Sequence, residues 1–188
     1  MLSILTTMLL FSVGCKSSGN GFLGPVDETA EAGKMVQAAN EDLTKIKVLY
    51  KENEGKREEI KLALESNDIP EVRRLAGEIV QLINEGTNFG NSAIDKIRDA
   101  RDMKINPQYE DYLRLKEEAL MKQLEAFNNY HQAARTLRDN YDPKNAEARD
   151  KVKADFEEKT LKYRETMEKA RDFSSAANEL YKETIVKK

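Results

Sequence analysis

Few side chains in this sequence could take part in covalent or acid–base chemistry, because it holds a single cysteine, Cys15, and a single histidine, His131. One histidine excludes the histidine clusters that bind zinc and copper within one chain. Helical bundles bind di-iron centres through paired Glu-x-x-His motifs, but the residue three before His131 is Asn128. We therefore predict no metal, no cofactor and no catalytic residue, and we interpret His131 as a partly buried histidine, hydrogen-bonded within a helical core.

The other polar groups also fit a structural role better than a catalytic one. Three adjacent acidic pairs lie among lysines, at Glu58-Glu59, Glu117-Glu118 and Glu157-Glu158. Adjacent side chains on a helix diverge and cannot share a proton, so we predict that these pairs face solvent. Neither a G-x-S-x-G elbow nor a phosphate-binding loop occurs. The tyrosines suit either a binding surface or the edge of a core, and we favour the core.

The remaining chemistry is that of Cys15, which ends an uncharged apolar segment at the start of the chain. Apolar residues recur between Leu2 and Val13, and the segment closes with the residues Ser12-Val13-Gly14-Cys15. A membrane-spanning helix needs about 20 apolar residues, so this shorter segment is more typical of a secretory signal.

The end of this segment resembles the lipobox of bacterial lipoprotein precursors. The resemblance implies that the thiol of Cys15 receives a diacylglyceryl group and that the signal peptidase cuts between Gly14 and Cys15. Residues 1–14 would then be a signal peptide, and lipidated Cys15 would hold the chain to a membrane, since two or more acyl chains anchor stably. Lys16 stands where enterobacterial lipoproteins kept in the inner membrane carry aspartate. The resemblance therefore points to the outer membrane, facing the periplasm.

Residues 15–25 connect this cysteine to the rest of the chain and are rich in glycine and serine, which predicts a flexible tether. Two alternatives to lipidation stay open. The segment could be a plain secretory signal, or Cys15 could be a buried free cysteine at the start of an ordinary helix. The tether argues against the second, because an apolar segment followed by a flexible connection has little reason to pack on the domain.

Composition limits the function classes of the 188-residue chain. The 31 lysines and arginines against 34 acidic residues give a net charge of −3, which provides no basic surface for nucleic acid. Charged residues make up 35% of the sequence, and only four prolines and nine glycines occur. These values favour long helices in a single domain, which we assign to residues 26–188.

The apolar pattern after Pro25 predicts four long helices, at residues 27–66, 70–102, 107–140 and 143–186. The breaks lie at Asn67–Pro70, Met103–Pro107 and Asn140–Pro143. Asp68 can cap the second helix with Pro70 in its first turn, and Asp142 before Pro143 repeats this pattern. Asp27 and Thr29 are the candidate caps of the first helix. Its apolar stripe follows alternating steps of three and four, at Ala39, Leu43, Ile46, Tyr50, Ile60 and Leu64, and skips the polar residues Asn53 and Arg57. Gly55 predicts a weak point in this helix.

Gly86 and Gly90 lie one turn apart within the second helix, in a turn-prone stretch that ends at Ser92. They predict either a kink or a close approach of a neighbouring helix. We favour a continuous helix with close packing or a mild kink, because the apolar phase is the same on both sides.

These elements predict an all-α fold, an elongated antiparallel up-down four-helix bundle with coiled-coil character. A pair of helical hairpins that forms a homodimer is the alternative. For function we expect a lipid-anchored, non-enzymatic envelope protein that binds a partner protein or acts as a spacer. The alternative is a bundle in the periplasm that binds a small molecule or a lipid, in a cavity opened by Gly86 and Gly90.

Overall fold

The computed structural model describes residues 27–142 and 144–183, and this part of the chain is almost entirely helical. The four helices in chain order are α1 (Thr29–Glu65), α2 (Ile69–Arg101), α3 (Pro107–Asn140) and α4 (Ala146–Tyr181). The prediction of an all-α four-helix bundle is confirmed. No helix of these residues is both long and apolar enough to cross a membrane.

Local capping residues explain where the second and third helices begin. The carboxylate of Asp68 accepts a hydrogen bond from the backbone N–H of Glu71, and Pro70 lies in the first turn. The amide oxygen of Asn106 accepts from the N–H of Tyr109 at 2.9 Å. Both side chains satisfy amides that have no partner inside the helix, so the sequence alone defines these two starts.

The first and fourth helices begin differently from the prediction. Glu28 is the N-cap of α1 and makes no side-chain capping bond, whereas Asp27 accepts from the N–H of Thr29 at 2.9 Å. The prediction that Asp142 caps α4 is wrong, because Asn145 is the N-cap and accepts from Ala148. Asp142 instead accepts from the N–H of Lys144, which forms a short turn before the helix. Pro143 lies outside the described residues, as do the last residues of the predicted fourth helix.

The end of α1 is stabilised by residues from three other parts of the chain. Asn67 adopts a left-handed backbone with φ of 55°, and the N–H of Asp68 returns to the carbonyl of Ala63 at 2.9 Å. The amide oxygen of Asn67 accepts from the hydroxyl of Tyr141 and from the ammonium of Lys153. These bonds fasten the start of α4 and the end of α3 to the α1–α2 turn.

Contacts between successive helices show the antiparallel order. Along α1 and α2, Asp42 meets Ser92, and the later Lys56 meets the earlier Glu78. Closely packed pairs are α1 with α2, α2 with α3, and α3 with α4. The backbones of α1 and α4 hardly approach within 8 Å of each other. The bundle therefore has one open seam, between its first and last helices.

Glycines have different effects in α1 and α2. Helix α1 continues through Gly55, where an added Cβ would meet open space, so the expected weak point is not a break. Helix α2 is also continuous, and Gly86 and Gly90 are buried within it. An added Cβ at Gly86 would lie 3.4 Å from the ring of Phe127, and one at Gly90 would overlap the side chain of Leu124. Both glycines thus let α3 side chains pack against the α2 backbone.

Candidate functional site

The buried residues form two clusters, one at each end of the bundle. The near end, where α1 begins, has the higher share of small side chains and includes Ala32, Ala39, Ala93, Ala100, Ala177, Tyr109, Tyr112, Leu113 and Leu120. The far end, around the α1–α2 turn, is built from larger ones and includes Ile60, Leu75, Tyr130, Leu137, Phe156 and Tyr163.

Two acidic side chains are buried in the bundle, and Asp42 is the first of them. Its side chain is only 6% exposed and lies between α1 and α2. It accepts hydrogen bonds from Ser92 at 2.8 Å, from Lys45 at 3.2 Å and from Lys96. Burial disfavours the charged carboxylate, but these donors outweigh it and hold the pKa of Asp42 below its usual value.

Glu117 is the second buried acid, and the prediction that it faces solvent is wrong. It is 8% exposed, and its carboxylate accepts from Arg98 at 2.6 Å and from Arg101, both on α2. Burial again opposes ionisation, and the two arginines more than offset it, so the pKa of Glu117 is lowered. Asp42 and Glu117 therefore join adjacent helices through charges that are matched inside the protein.

Arg57 is a partly buried charge that has no such match. Its guanidinium carbon lies 5.3 Å from the ring centroid of Tyr163, 5.5 Å from that of Tyr50 and 5.8 Å from that of Tyr130. Its side chain is 18% exposed, and the nearest carboxylate among the described residues, Glu54, is 3.9 Å away and mostly exposed. Burial opposes the charge of Arg57, but the three tyrosines outweigh it and raise its pKa.

Several polar atoms beside Arg57 have no hydrogen-bond partner in the part of the chain that the structure describes. They are its own Nε, the amide oxygen of Asn53 and the hydroxyls of Thr160 and Tyr163, all of them buried. Near Asp42 and Glu117 the Nε of Arg101 is the one described side-chain atom in the same state. Burying such a group without a partner costs free energy, about 1–3 kcal/mol for each. The region around Arg57 is thus less well satisfied than the surroundings of Asp42 and Glu117.

A cavity of about 480 Å³ opens beside Arg57, between α1 and α4. We call it the Arg57 cavity. Its walls include Arg57, Lys61, Leu64, Tyr130, Phe156, Thr160, Leu161 and Arg164. The aromatic and aliphatic side chains form an apolar wall, and the basic residues give it a cationic side. Its position fits the open seam, since the backbones of α1 and α4 make few close approaches.

Two other cavities among the described residues are smaller than the Arg57 cavity. One of about 200 Å³ lies along the same seam towards the near end and is lined by Lys116, Leu120 and Arg171 among others. Burial lowers the pKa of Lys116, which donates to Asn40 at 3.1 Å. The space beside Gly86 is only about 10 Å³. The expectation that Gly86 and Gly90 open a ligand cavity is therefore wrong, because Phe127 and Leu124 fill that space.

The sequence-predicted site residues have varied outcomes. Gly14, Cys15 and the tether at residues 15–25 lie outside the described residues, so the lipidation of Cys15 stays a prediction. His131 is half-buried, as expected, and the structure gives it no hydrogen-bond partner among the described residues. Burial and the neighbouring Arg135 and Arg138 lower its pKa. Within residues 27–142 and 144–183, no group of three or more His, Cys, Asp or Glu side chains could hold a metal ion.

Arg57 and Asn53 are the site residues that sequence reasoning missed. The signal was present, because both stand at positions of the α1 stripe that the regular steps of three and four assign to the interior. They were passed over as interruptions of an apolar pattern. A charged residue at a core position requires either a buried partner or a ligand, so such interruptions are themselves an indication of a site.

Comparison of the chain with protein-family models, with curated proteins and with solved structures gives no match.

Proposed function

We propose that this chain is a lipid-anchored, non-enzymatic helical protein of the bacterial envelope whose bundle binds a partner protein. The observation that carries the proposal is that the start of α1 and the Arg57 cavity lie at opposite ends of the bundle. Helix α1 begins at the near end, whereas the Arg57 cavity lies at the far end. Arg57 is about 40 Å along α1 from Thr29, given a rise of about 1.5 Å per residue. A lipid on Cys15 would thus present the cavity away from the membrane.

Exposed apolar side chains near the far end support a protein partner. Leu62 on α1 is 64% exposed, and Leu161 on α4, which lines the Arg57 cavity, is 55% exposed. Apolar residues beside a cavity with charged rims are typical of protein-binding surfaces. In this proposal the long helices act as the spacer and the open seam between α1 and α4 acts as the binding surface.

Metabolic labelling with palmitate tests the anchor. The wild-type chain should incorporate label, and Cys15→Ser should not, because the thiol is the only attachment point in the sequence. Globomycin, which blocks the lipoprotein signal peptidase, should make the uncleaved precursor accumulate. Equal labelling of the two chains, or no labelling of either, would contradict the role of Cys15.

Photo-crosslinking in cells tests the partner surface. A photoreactive residue at Leu161 should give a discrete crosslinked species. The matched control is Val48, which is 64% exposed but does not line the cavity. Equal crosslinking from both positions would show contact without a specific surface, and the assignment of the partner to the α1–α4 seam would then be wrong.

A second candidate function is a bundle in the periplasm that binds a small molecule or lipid. The volume of the Arg57 cavity favours it, since ligand sites in proteins occupy about 300–1,000 Å³. Its location differs from the one expected between Gly86 and Gly90. Binding of a small amphiphilic molecule to the isolated protein in solution would support this candidate.

A further inference from the structure

We infer that the Arg57 cavity is a binding site for a monovalent organic anion, a carboxylate attached to an apolar body. This inference rests on the second candidate function and names the chemical class of its ligand. It is independent of the membrane anchor and of a protein partner.

The first support is the unmatched charge of Arg57. Other arginines of the bundle donate to a carboxylate, as Arg98 and Arg101 donate to the buried Glu117. Arg57 contacts three tyrosine rings, one of which, Tyr50, also offers its hydroxyl oxygen as a hydrogen-bond acceptor, and its nearest carboxylate is the mostly exposed Glu54 at 3.9 Å. An arginine cannot lose its proton at physiological pH, so the buried Nε–H of Arg57, which has no partner among the described residues, costs free energy unless a ligand accepts from it.

The second support is that the carboxylates of the cavity do not satisfy this arginine. Glu58, Glu65 and Glu157 all line the same cavity, yet none lies within 4.0 Å of the guanidinium. The protein therefore has acids available beside Arg57 and does not pair it with any of them. A planar guanidinium that faces a cavity matches the two oxygens of a carboxylate in fork geometry.

The third support is the balance of charge around the cavity, which selects a monoanion. The lining holds four basic residues, Arg57, Lys61, Lys153 and Arg164, against the three glutamates. Lys153 is already engaged, donating to the carbonyl of Leu64 at 2.9 Å and to Asn67 at 3.1 Å. The small positive excess suits one negative charge, whereas the glutamates would repel a dianion such as a phosphate monoester.

The fourth support is the apolar wall that accompanies the charge. Leu64, Tyr130, Phe156 and Leu161 line the cavity, and Leu161 extends it towards solvent. Such a wall would bury the aliphatic or aromatic body of the ligand. A hydrophilic anion such as acetate would gain only the contact with Arg57.

Calorimetric titration with three probes of equal chain length tests the inference: octanoate, octanol and octylammonium. The protein is the full chain carrying Cys15→Ser, so that no attached lipid competes. Octanoate should bind at least tenfold more tightly than octanol, and octylammonium should not bind detectably. The NMR signal of the Arg57 Nε–H should shift on addition of octanoate.

Two sets of variants locate the site. Arg57→Met should weaken octanoate binding by about ten- to a hundredfold, the value of a charge-assisted hydrogen bond. The matched control is Arg114→Met, which removes an exposed arginine outside the cavity and should leave binding unchanged. Leu161→Glu and Leu161→Lys alter an exposed position without disturbing the core. Leu161→Glu should weaken octanoate binding, and Leu161→Lys should strengthen it.

The outcomes separate the inference from the function on which it rests. Equal binding of octanoate and octanol would leave a cavity for small molecules but overturn the carboxylate assignment. Unchanged octanoate affinity in a folded Arg57→Met, or in both Leu161 variants, would overturn it as well. Binding of none of the probes would contradict the second candidate function together with the inference.

Discussion

Asp42 and Arg57 lie on the same helix, yet the protein treats these two buried charges in opposite ways. Asp42 receives hydrogen bonds from three side chains, two of them on α2. Arg57 lies among three aromatic rings, and the nearest carboxylate among the described residues, that of Glu54, is 3.9 Å away. The difference teaches that charges between closely packed helices are matched, while the charge at the open seam is left available.

The backbone geometry explains the contrast. Helices α1 and α2 approach closely, so donors of α2 reach Asp42, and the same holds for α2 and α3 at Glu117. Helices α1 and α4 stay apart, and Tyr163 and Phe156 occupy the space on the α4 side of Arg57. Bulky rings can surround a guanidinium but cannot neutralise it.

The largest expected effect comes from placing a charged side chain at an apolar core position. Leu120 is 3% exposed and lies one turn after Glu117 on α3. Leu120→Asp should destabilise the bundle by about 4 kcal/mol or unfold it, because a buried apolar side chain is lost and a carboxylate must give up its hydration. Thermal unfolding followed by circular dichroism measures this. A near-normal unfolding temperature would show that the core position of Leu120 is wrong.

The next effect compares the contributions of Glu117, which pairs with two arginines, and of Arg57, which has no close carboxylate, to the free energy of unfolding. Glu117→Gln should lower the free energy of unfolding by about 1–3 kcal/mol, because Arg98 and Arg101 lose their charged acceptor. Arg57→Met should change it by less than about 1 kcal/mol in either direction, since the lost cation–π contacts are offset by removing a buried charge. Urea unfolding of both variants gives the comparison. A larger loss for Arg57→Met would mean that Arg57 is a structural residue.

A smaller effect concerns acid stability. The pKa values of Asp42 and Glu117 are lowered in the folded chain, so their contribution is present above the ordinary value of 4.5 for a glutamate and is lost as pH falls through the lowered values. The free energy of unfolding should therefore decrease below about pH 4.5. In Glu117→Gln the free energy of unfolding should decrease less steeply over the same pH range. Parallel pH profiles for the two proteins would argue against the paired state of Glu117.

The smallest effect concerns His131, a half-buried basic group that makes no ion pair among the described residues. Unlike Arg57 it can lose its proton, and its pKa is lowered by burial and by Arg135 and Arg138. A lowered folded pKa means that stability is lost as pH falls from the ordinary 6.5 through the folded value. His131→Gln should remove this part of the pH dependence. NMR titration of the histidine ring would contradict the prediction if the midpoint lay above 6.5.

Much of the fold was predictable because its signals are local. Prolines and capping side chains mark the ends of α1, α2 and α3, and the apolar steps of three and four identify the buried faces. The start of α4 was less predictable, since Asp142 and Asn145 are both suitable caps and only the folded chain selects Asn145. The packing of Gly86 and Gly90 against α3 could be anticipated, but not that Phe127 and Leu124 fill the space.

The candidate site was the least predictable part, because its residues belong to different helices. Glu117 stands in an acidic pair that resembles a solvated face, and only the register of α2 against α3 brings Arg98 and Arg101 to it. The sequence by itself determined four helices and their up-down order, since these follow from local propensity and short connections. The tertiary structure alone decided which buried charges are paired, because pairing depends on the spacing of helices. At the α1–α4 seam that spacing leaves Arg57 without an acid.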